Sequence, residues 1–321
     1  MTLYEEDEGE LFGLTDLLRA KIATLIMRHN LHVPDSPSEL CRRIARYAVS
    51  DADISEALRY HGDARLARLN SLAASAAGPG RNEFLNRLRC AVLELERTDL
   101  TTGTSAYRCV HGADFYQDLD SRAAWDDSWT RLMSLGAAEI AEEVLGNISI
   151  GLSSPTAVDL GGGDGTFIAT LAQRRTDIER ALVLERPSVT KTAERLFVAQ
   201  GLDDRCAAVA GDLLSDPLPA ADVYFLVSVL HEWPDNDAVR ILQNVRAAMS
   251  DSGELILVER VFDSGRDDAE LVASLDMMML AFTAGRERTV GELSELCRAA
   301  ELSTPKVSIL ESGRAVLRVT A

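Results

Sequence analysis

The chain has little that would build a disulfide framework, a metal cluster or a membrane anchor. Its cysteines are odd in number and widely spaced, with no CxxC pair and no Cys/His cluster: Cys41, Cys90, Cys109, Cys206 and Cys297. This pattern argues against a disulfide scaffold or a zinc site and suits a reducing compartment. No apolar run approaches a membrane span, and the acidic first ten residues do not resemble a secretory signal. We therefore expect a soluble cytoplasmic protein that binds no metal and no membrane.

Positive charge is also scarce. The 33 lysines and arginines are outnumbered by 51 aspartates and glutamates, so the formal net charge is −18. Because an acidic surface repels phosphate backbones, nucleic acid is not an expected partner. Hydrophobic residues make up 46% of the 321 residues, which is enough to bury the core of one large domain or two moderate ones.

The pattern of apolar residues changes near residue 150. Before it, three- and four-residue spacing predicts helices at Leu14–His29, Pro37–Val49, Ala52–Tyr60, Asp63–Ala77 and Glu83–Glu96, with one or two more in Asp120–Leu145. After it, strands alternate with helices, which indicates an α/β fold with a parallel sheet covered on both faces. We predict strands at Ala157–Leu160, Arg180–Leu184, Ala207–Ala210, Val223–Val227 and Glu254–Glu259, a helix at Asp235–Met249, and a closing antiparallel hairpin of Lys306–Leu310 and Ala315–Val319.

A glycine cluster follows the first predicted strand. In Val158-Asp159-Leu160-Gly161-Gly162-Gly163-Asp164-Gly165 the glycines allow a sharp turn close to a ligand, and a helix begins near Thr166. The GxGxG spacing departs from the GxGxxG dinucleotide fingerprint. Glu185 ends the second strand, where a carboxylate can bind two ribose hydroxyls, and Asp212 follows the third. Either acid alone would more readily be a solvated strand-end residue, but together with the glycine turn they favour a nucleotide-type cofactor.

Five motifs occur in order along the chain and carry a family resemblance. They are the glycine turn, Glu185-Arg186-Pro187, Gly211-Asp212, Val229-Leu230-His231-Glu232-Trp233-Pro234-Asp235 and Gly285-Arg286-Glu287-Arg288-Thr289. From about residue 105 onward the sequence resembles the caffeic-acid-type, S-adenosylmethionine-dependent O-methyltransferases, and most of all their actinobacterial natural-product branch. The resemblance implies a helical, winged-helix-like dimerisation domain at residues 1–105 and a substrate-lining helical linker at 106–150. A Rossmann-like catalytic domain with a C-terminal antiparallel hairpin would occupy residues 151–321, in a homodimer.

The same resemblance implies a binding site for S-adenosylmethionine, which would leave as S-adenosylhomocysteine. The basic residue of the plant enzymes is replaced by Val227 here, so recognition of adenine would rest on Asp212, Leu213 and Ser228. The cofactor-binding residues implied are Asp159, Gly161, Gly163, Glu185, Asp212, Leu213 and Ser228.

For catalysis, the resemblance implies that His231 is the general base that deprotonates an acceptor hydroxyl. A histidine suits this role because its ordinary pKa is near the working pH; the alternative is a histidine that packs or caps at a strand end. Glu259 and Glu287 would orient its imidazole, although Glu287 has an alternative as a loop charge paired with Arg286 or Arg288. Glu232 is interpreted as a solvated or helix-start acid.

The substrate side is predicted to be apolar. Trp125, Trp129 and Met133 share one stripe of a helix, and the resemblance places them, with Asp276, Met278 and Met279, beside the methyl donor and the acceptor. The alternative for such stripes is plain core packing. We expect methyl transfer to a phenolic or enolic hydroxyl of an aromatic or polyketide-like natural product. Two alternatives are a relative that binds the cofactor but catalyses hydroxylation, decarboxylation or a pericyclic reaction, and a catalytically silent binding protein.

Overall fold

A computed structural model describes residues 102–148, 155–266 and 269–320, with isolated positions between 84 and 98. The four helices predicted between Leu14 and Ala77, and nearly all of the winged-helix-like dimerisation domain, lie outside the described residues. Two compact units are present. Residues up to Trp125 join Gly265–Glu287 in the first, and Asp126–Ser264 joins Arg288–Ala321 in the second. The division falls inside a helix, and the expected domain boundaries at 105 and 150 stay predictions.

The helices are labelled in chain order. They are α1 (Ala106–His111), α2 (Phe115–Asp120), α3 (Ala123–Met133), α4 (Ala137–Asn147), α5 (Thr166–Arg174), α6 (Pro187–Gln200), α7 (Asp235–Ala248), α8 (Ala269–Phe282) and α9 (Val290–Ala299). Among the described helices, none has both the length and the apolar character needed to cross a membrane.

In the described part of the first unit, helices pack around an aromatic core. The ring of Phe115 on α2 stacks on Phe282 of α8, with 5.5 Å between ring centroids. Tyr107 on α1 is buried, and its hydroxyl donates a 2.8 Å hydrogen bond to the carboxylate of Asp118. Arg122 also donates to Asp118, at 2.7 Å. The buried carboxylate therefore has donors on both oxygens, which is what burial of a charge requires.

The second unit is built on a seven-stranded sheet. Its strands are β1 (Thr156–Leu160), β2 (Arg180–Glu185), β3 (Cys206–Ala210), β4 (Ala221–Val227), β5 (Met249–Arg260), β6 (Lys306–Ile309) and β7 (Arg314–Thr320). They lie in the order β3-β2-β1-β4-β5-β7-β6, with β7 antiparallel to both of its neighbours. The expected Rossmann-like sheet and its closing hairpin are confirmed, and all seven predicted strands are present.

Alternate side chains of the strands enter two separate cores, as the pleat of a sheet requires. Val158, Tyr224 and Leu257 belong to a core that includes residues of α7 and α9. Ala157, Phe225 and Ile256 belong to the core on α4, α5 and α6. Burial on both faces explains why these strands are almost uniformly apolar in sequence.

The register of the strands decides what meets at the carboxyl edge of the sheet. Leu160 of β1 pairs with Leu184 of β2, and Glu185 pairs with Ala210 of β3. On the other side of β1, Val227 of β4 pairs with Val258 of β5. The residues that follow each pair therefore emerge side by side, and they include the glycine turn, Glu185, Asp212, Ser228 and Glu259.

Candidate active site

The glycine turn leaves an open space at the end of β1. Gly161, Gly163 and Gly165 have φ angles of +72°, +58° and +80°, in the region that favours glycine. A Cβ placed on Gly163 would find no atom within 4 Å. A Cβ on Gly165 would lie 2.7 Å from the ring of Phe197. Gly165 is therefore required for packing, whereas the space beside Gly163 is open.

Glu185 is joined to this turn by hydrogen bonds. Its Oε2 accepts from the backbone N–H of Gly163 at 3.1 Å, and its Oε1 accepts from the N–H of Arg186 at 2.8 Å. Burial raises the pKa of Glu185, and the two N–H donors and the Arg186 charge oppose that rise. The acid predicted from the end of the second strand thus lies against the predicted turn.

Asp159 lies beneath the turn rather than at its surface. It is 1% exposed, and neither carboxylate oxygen has a hydrogen-bond partner among the described residues. A Cβ on Gly162 would lie 2.2 Å from its Oδ2. Burial, followed by repulsion from Glu185 and Asp164, raises the pKa of Asp159 to about 8. At neutral pH this side chain is therefore largely protonated.

The residues expected to bind adenine flank the same turn. Asp212 is exposed, and its Oδ1 accepts a 2.8 Å hydrogen bond from the N–H of Leu214. Leu213 is buried, and its Cδ1 would be 3.8 Å from a Cβ on Gly161. Ser228, after β4, has a φ of +53°. Their binding roles stay predictions.

His231 lies on a short 3₁₀ turn, Leu230–Glu232, directly after β4. The N–H of Ser228 donates to the carbonyl of Val258 at 2.8 Å, which continues the β4–β5 pairing. The next two N–H groups, of Val229 and Leu230, donate to Oε1 of Glu259 at 3.0 and 2.7 Å. Where the backbone hydrogen bonds between β4 and β5 end, the side chain of Glu259 therefore accepts the next two N–H groups and holds the start of the turn.

Glu259 also lies close to the imidazole of His231. A ring nitrogen of His231 and a carboxylate oxygen of Glu259 are within 4.8 Å of each other. Glu259 is 2% exposed, whereas His231 is half-buried. The expectation that the fifth strand brings this acid near the histidine agrees with the geometry, although sequence reasoning missed its bonds to the backbone.

Arg288 is a functional candidate that sequence reasoning considered only as a partner of Glu287. It is 2% exposed. Its Nη1 donates to the carbonyl of Leu230 at 2.8 Å, and its Nη2 donates to the carbonyl of Trp233 at 2.7 Å. Its Nε and Nη2 also donate to Oδ1 of Asp235, at 3.0 and 2.7 Å. The sequence feature that could have drawn attention to Arg288 is its position directly before Thr289. Thr289 caps α9 in a capping box with Glu292.

The glycine turn and the histidine turn pack against each other. A Cβ on Gly161 would lie 3.1 Å from Cγ2 of Val229, two residues before His231. A side chain at position 161 would therefore require Val229 to shift by a few tenths of an ångström. Within the second unit, the predicted cofactor site and the predicted base are adjacent.

Of the four predicted substrate residues in the first unit, two are buried and two are half-buried. Trp125 is 3% exposed, with the guanidinium carbon of Arg122 4.2 Å from its ring centroid. Met279 is 5% exposed and Met278 is half-buried. Oδ1 of Asp276 accepts a 2.8 Å hydrogen bond from the N–H of Glu287, a residue that is 1% exposed. Glu287 and Asp276 thus lie together, and their roles stay predictions.

The remainder of α3 belongs to the second unit. Trp129 is 4% exposed, whereas Met133 at the end of the helix is 47% exposed. The stripe of three residues is therefore buried at its two tryptophans only. Asp126, one residue after Trp125, is buried and accepts a 2.7 Å hydrogen bond from Nη2 of Arg186. Sequence patterns gave no indication of this ion pair.

A family model described as an O-methyltransferase domain matches residues 88–303. The chain belongs to this family. The match confirms the family expected from the five motifs, and curated relatives from Streptomyces agree with the actinobacterial branch.

Three comparisons illustrate the relationship. O-methyltransferase SfmM3 of Streptomyces lavendulae is 33% identical over 227 residues, which cover 68% of this chain and 66% of that protein. Aclacinomycin 10-hydroxylase RdmB of Streptomyces purpurascens is 35% identical over 205 residues, 63% of this chain and 54% of that protein. The chain thus spans about two thirds or less of these relatives. The structure of O-methyltransferase NcsB1 from neocarzinostatin biosynthesis, in complex with S-adenosylmethionine and 2-hydroxy-5-methyl naphthoic acid, is 26% identical, with a TM-score of 0.65 over 96% of each chain.

Proposed function

We propose that the protein is an S-adenosylmethionine-dependent O-methyltransferase acting on a phenolic or enolic hydroxyl of an aromatic or polyketide-like natural product. One observation carries the proposal. The open glycine turn, with Glu185 at its side, packs directly on the turn that holds His231, through Gly161 and Val229. A methyl donor and a proton acceptor would thus be held at one edge of one sheet. Membership of the O-methyltransferase domain family supports it.

The residues at the glycine turn fit this cofactor better than a dinucleotide. S-adenosylmethionine supplies a methyl group on a cationic sulfonium. The acids at and just after the ends of β1, β2 and β3, namely Asp164, Glu185 and Asp212, oppose a pyrophosphate and suit a ligand without phosphate. The carboxylate of Glu185 has the two oxygens needed for vicinal ribose hydroxyls, and Gly163 leaves its backbone open. Gly161, Leu213 and Ser228 would complete the site.

His231 would act as the general base. A phenol is a weak nucleophile when neutral, and removal of its proton by a placed imidazole typically accelerates such a reaction about 10²–10⁴-fold. The proton would pass from the acceptor oxygen to a ring nitrogen of His231. The carboxylate of Glu259, within 4.8 Å, would then stabilise the imidazolium. Glu287 is proposed as the second orienting acid.

The remaining assignments extend the same proposal. We propose that Trp125, Trp129, Met133, Asp276, Met278 and Met279 line the acceptor side. The division into residues 1–105, 106–150 and 151–321, homodimerisation through the first of these, and a cytoplasmic location also belong to the proposal.

A second candidate is a relative that binds the cofactor without transferring its methyl group. The similarity to aclacinomycin 10-hydroxylase RdmB favours it, because that protein is named for a hydroxylation. The presence of His231 with Glu259 beside it favours methyl transfer, because a base is needed to activate a hydroxyl nucleophile.

The proposal is tested with methyl-labelled S-adenosylmethionine and a panel of hydroxylated naphthoates, anthracyclinones and simple phenols. We expect labelled product from the wild type, and a loss of about 10²–10⁴-fold with His231→Ala at unchanged affinity for S-adenosylhomocysteine. Asn236→Ala, which alters an exposed residue at the start of α7, is the matched control and retains activity. Cofactor binding with no transfer to any acceptor would instead favour the second candidate. Undiminished transfer by His231→Ala would overturn the base assignment.

A further inference from the structure

We infer that Arg288 is a positioning residue for His231: its guanidinium holds the backbone turn on which the imidazole is mounted. The role of His231 as a base comes from the proposed function, so this inference rests on it. The placing of the imidazole by Arg288 can nevertheless be measured without any turnover.

The turn that carries His231 is closed by two backbone hydrogen bonds of its own, from the N–H of Glu232 to the carbonyl of Val229 at 3.1 Å and from the N–H of Trp233 to the carbonyl of Leu230 at 3.2 Å. It is a single 3₁₀ turn of three residues, and it begins two residues after Ser228, a non-glycine residue with a φ of +53°. Short 3₁₀ turns have poor internal hydrogen bonds, and a non-glycine residue in the left-handed region persists only when its surroundings impose it. The imidazole therefore depends on anchors from outside the turn.

Two buried side chains of opposite charge supply those anchors. Glu259 accepts the N–H groups of Val229 and Leu230 at the start of the turn. Arg288 donates to the carbonyls of Leu230 and Trp233, on either side of His231. Backbone groups before His231 (Val229 and Leu230) and after it (Trp233) are thus held by side chains from outside the turn.

Both anchors are tied to the end of one strand. Glu259 is on β5, and the backbone of Arg288 forms a bridge with Val261, two residues further along. The N–H of Phe262 also donates to the carbonyl of Arg288, at 3.3 Å. The end of β5 therefore serves as a common frame for the two groups that hold the turn.

The contacts of Arg288 require a guanidinium. Its planar fork reaches two carbonyls, and it also donates twice to Oδ1 of Asp235 in the first turn of α7. A lysine ammonium is a point charge and cannot form this set at once. Arg288→Lys therefore keeps the buried charge but loses part of the hold on the turn.

The experiment reads the imidazole directly by NMR. The Cε1–H signal of His231, assigned with a His231→Gln variant, is titrated with pH in protein saturated with S-adenosylhomocysteine. We expect Arg288→Lys to shift or broaden this signal and to move its midpoint. Arg298→Lys is the control, because Arg298 lies on the surface of α9 and pairs with Glu295; it should leave the His231 signal unchanged. An unaltered His231 titration in Arg288→Lys would overturn the inference.

Kinetics supply the second readout where the wild type transfers methyl groups. We expect Arg288→Lys to lower kcat tenfold or more while the Kd for S-adenosylhomocysteine stays within twofold. Asp235→Asn weakens the Arg288–Asp235 ion pair but keeps a side chain of the same size. It should lower kcat in the same way, by a smaller factor. Equal losses of kcat and cofactor affinity would indicate a general structural role and count against positioning. A wild type that binds cofactor but transfers nothing contradicts the proposed function only, since the NMR titration still decides the role of Arg288.

Discussion

The guanidinium of Arg186 donates a 2.7 Å hydrogen bond to the buried carboxylate of Asp126. Asp126 lies on α3, beside two predicted substrate tryptophans, and the backbone N–H of Arg186 donates to Glu185 at the carboxyl edge of the sheet. One residue thus connects the carboxylate expected to bind ribose with the helix expected to line the acceptor. Placement of α3 and of Glu185 should therefore be energetically coupled.

A double-mutant cycle on this pair measures the coupling. Because Asp126 is nearly fully buried and Arg186 largely so, we expect Asp126→Asn and Arg186→Leu to show an interaction of about 1–3 kcal/mol in the free energy of unfolding. The comparison pair is Arg174 and Glu142, in which both side chains are exposed. Its interaction free energy should be less than about 1 kcal/mol. Equal coupling in the two cycles would contradict a special role for the buried pair.

Alanine substitutions at two glycines with similar φ angles distinguish an effect on ligand binding from an effect on folding. Gly163 and Gly201 both have positive φ and open space at the Cβ position, but Gly201 only ends α6. An alanine at either position should cost about 1–2 kcal/mol of unfolding free energy. Gly163→Ala alone should weaken binding of S-adenosylhomocysteine, by tenfold or more in calorimetry. Equal affinity of the two variants would argue against Gly163 as part of the cofactor site.

The buried carboxyl of Asp159 predicts a pH dependence of stability. Its pKa is raised to about 8 in the folded protein, above the ordinary value of about 4 that it has when unfolded. The folded state therefore holds the proton more tightly, and stability is lost as pH rises from about 4 towards 8. Asp159→Asn should remove this part of the dependence and be stabilising by a few kcal/mol near pH 8. Urea unfolding at pH 5 and pH 8 checks this, with the exposed Asp203→Asn as control; parallel losses in Asp159→Asn and wild type would refute it.

Two substitutions of Glu259 distinguish its charge from its hold on the backbone. Glutamine retains an oxygen for the N–H groups of Val229 and Leu230 but has no charge. We expect Glu259→Gln to fold normally and to lower kcat about 10-fold or more, because the imidazolium loses its counter-charge. Glu259→Ala also leaves two buried N–H groups unpaired, so it should further lose about 1–3 kcal/mol of unfolding free energy. Thermal unfolding and single-turnover methyl transfer measure the two effects; full activity in Glu259→Gln would contradict a role for the charge.

The strands of the sheet could be predicted from the sequence because each is marked by a pattern within a few consecutive residues. Strands buried on both faces are continuous apolar runs, and each of the seven was recognised within a few residues of its observed bounds. The longest difference is β5, which begins at Met249 where a helix was predicted to end. The glycine turn and Glu185 were also recognisable, because parallel strands place their carboxyl ends at one edge.

The stripe on α3 shows the limit of periodicity. Trp125, Trp129 and Met133 share one helical face, yet Met133 is 47% exposed while the tryptophans are buried. Helical spacing defines a common face, but it does not say how far along the helix that face remains covered. Exposure at the last turn depends on which other elements reach it.

By itself the sequence determined the alternation of strands and helices, the glycine turn, the acids at the strand ends and the histidine that follows the fourth strand, since each depends on residues a few positions apart. Only the tertiary structure decided how that histidine is held. Glu259 contacts a backbone 29 and 30 residues away, Arg288 one 55 and 58 residues away, and Arg186 reaches Asp126 across 60 residues. Hydrogen-bond partners at such separations are chosen by strand register and helix packing, which no local pattern encodes.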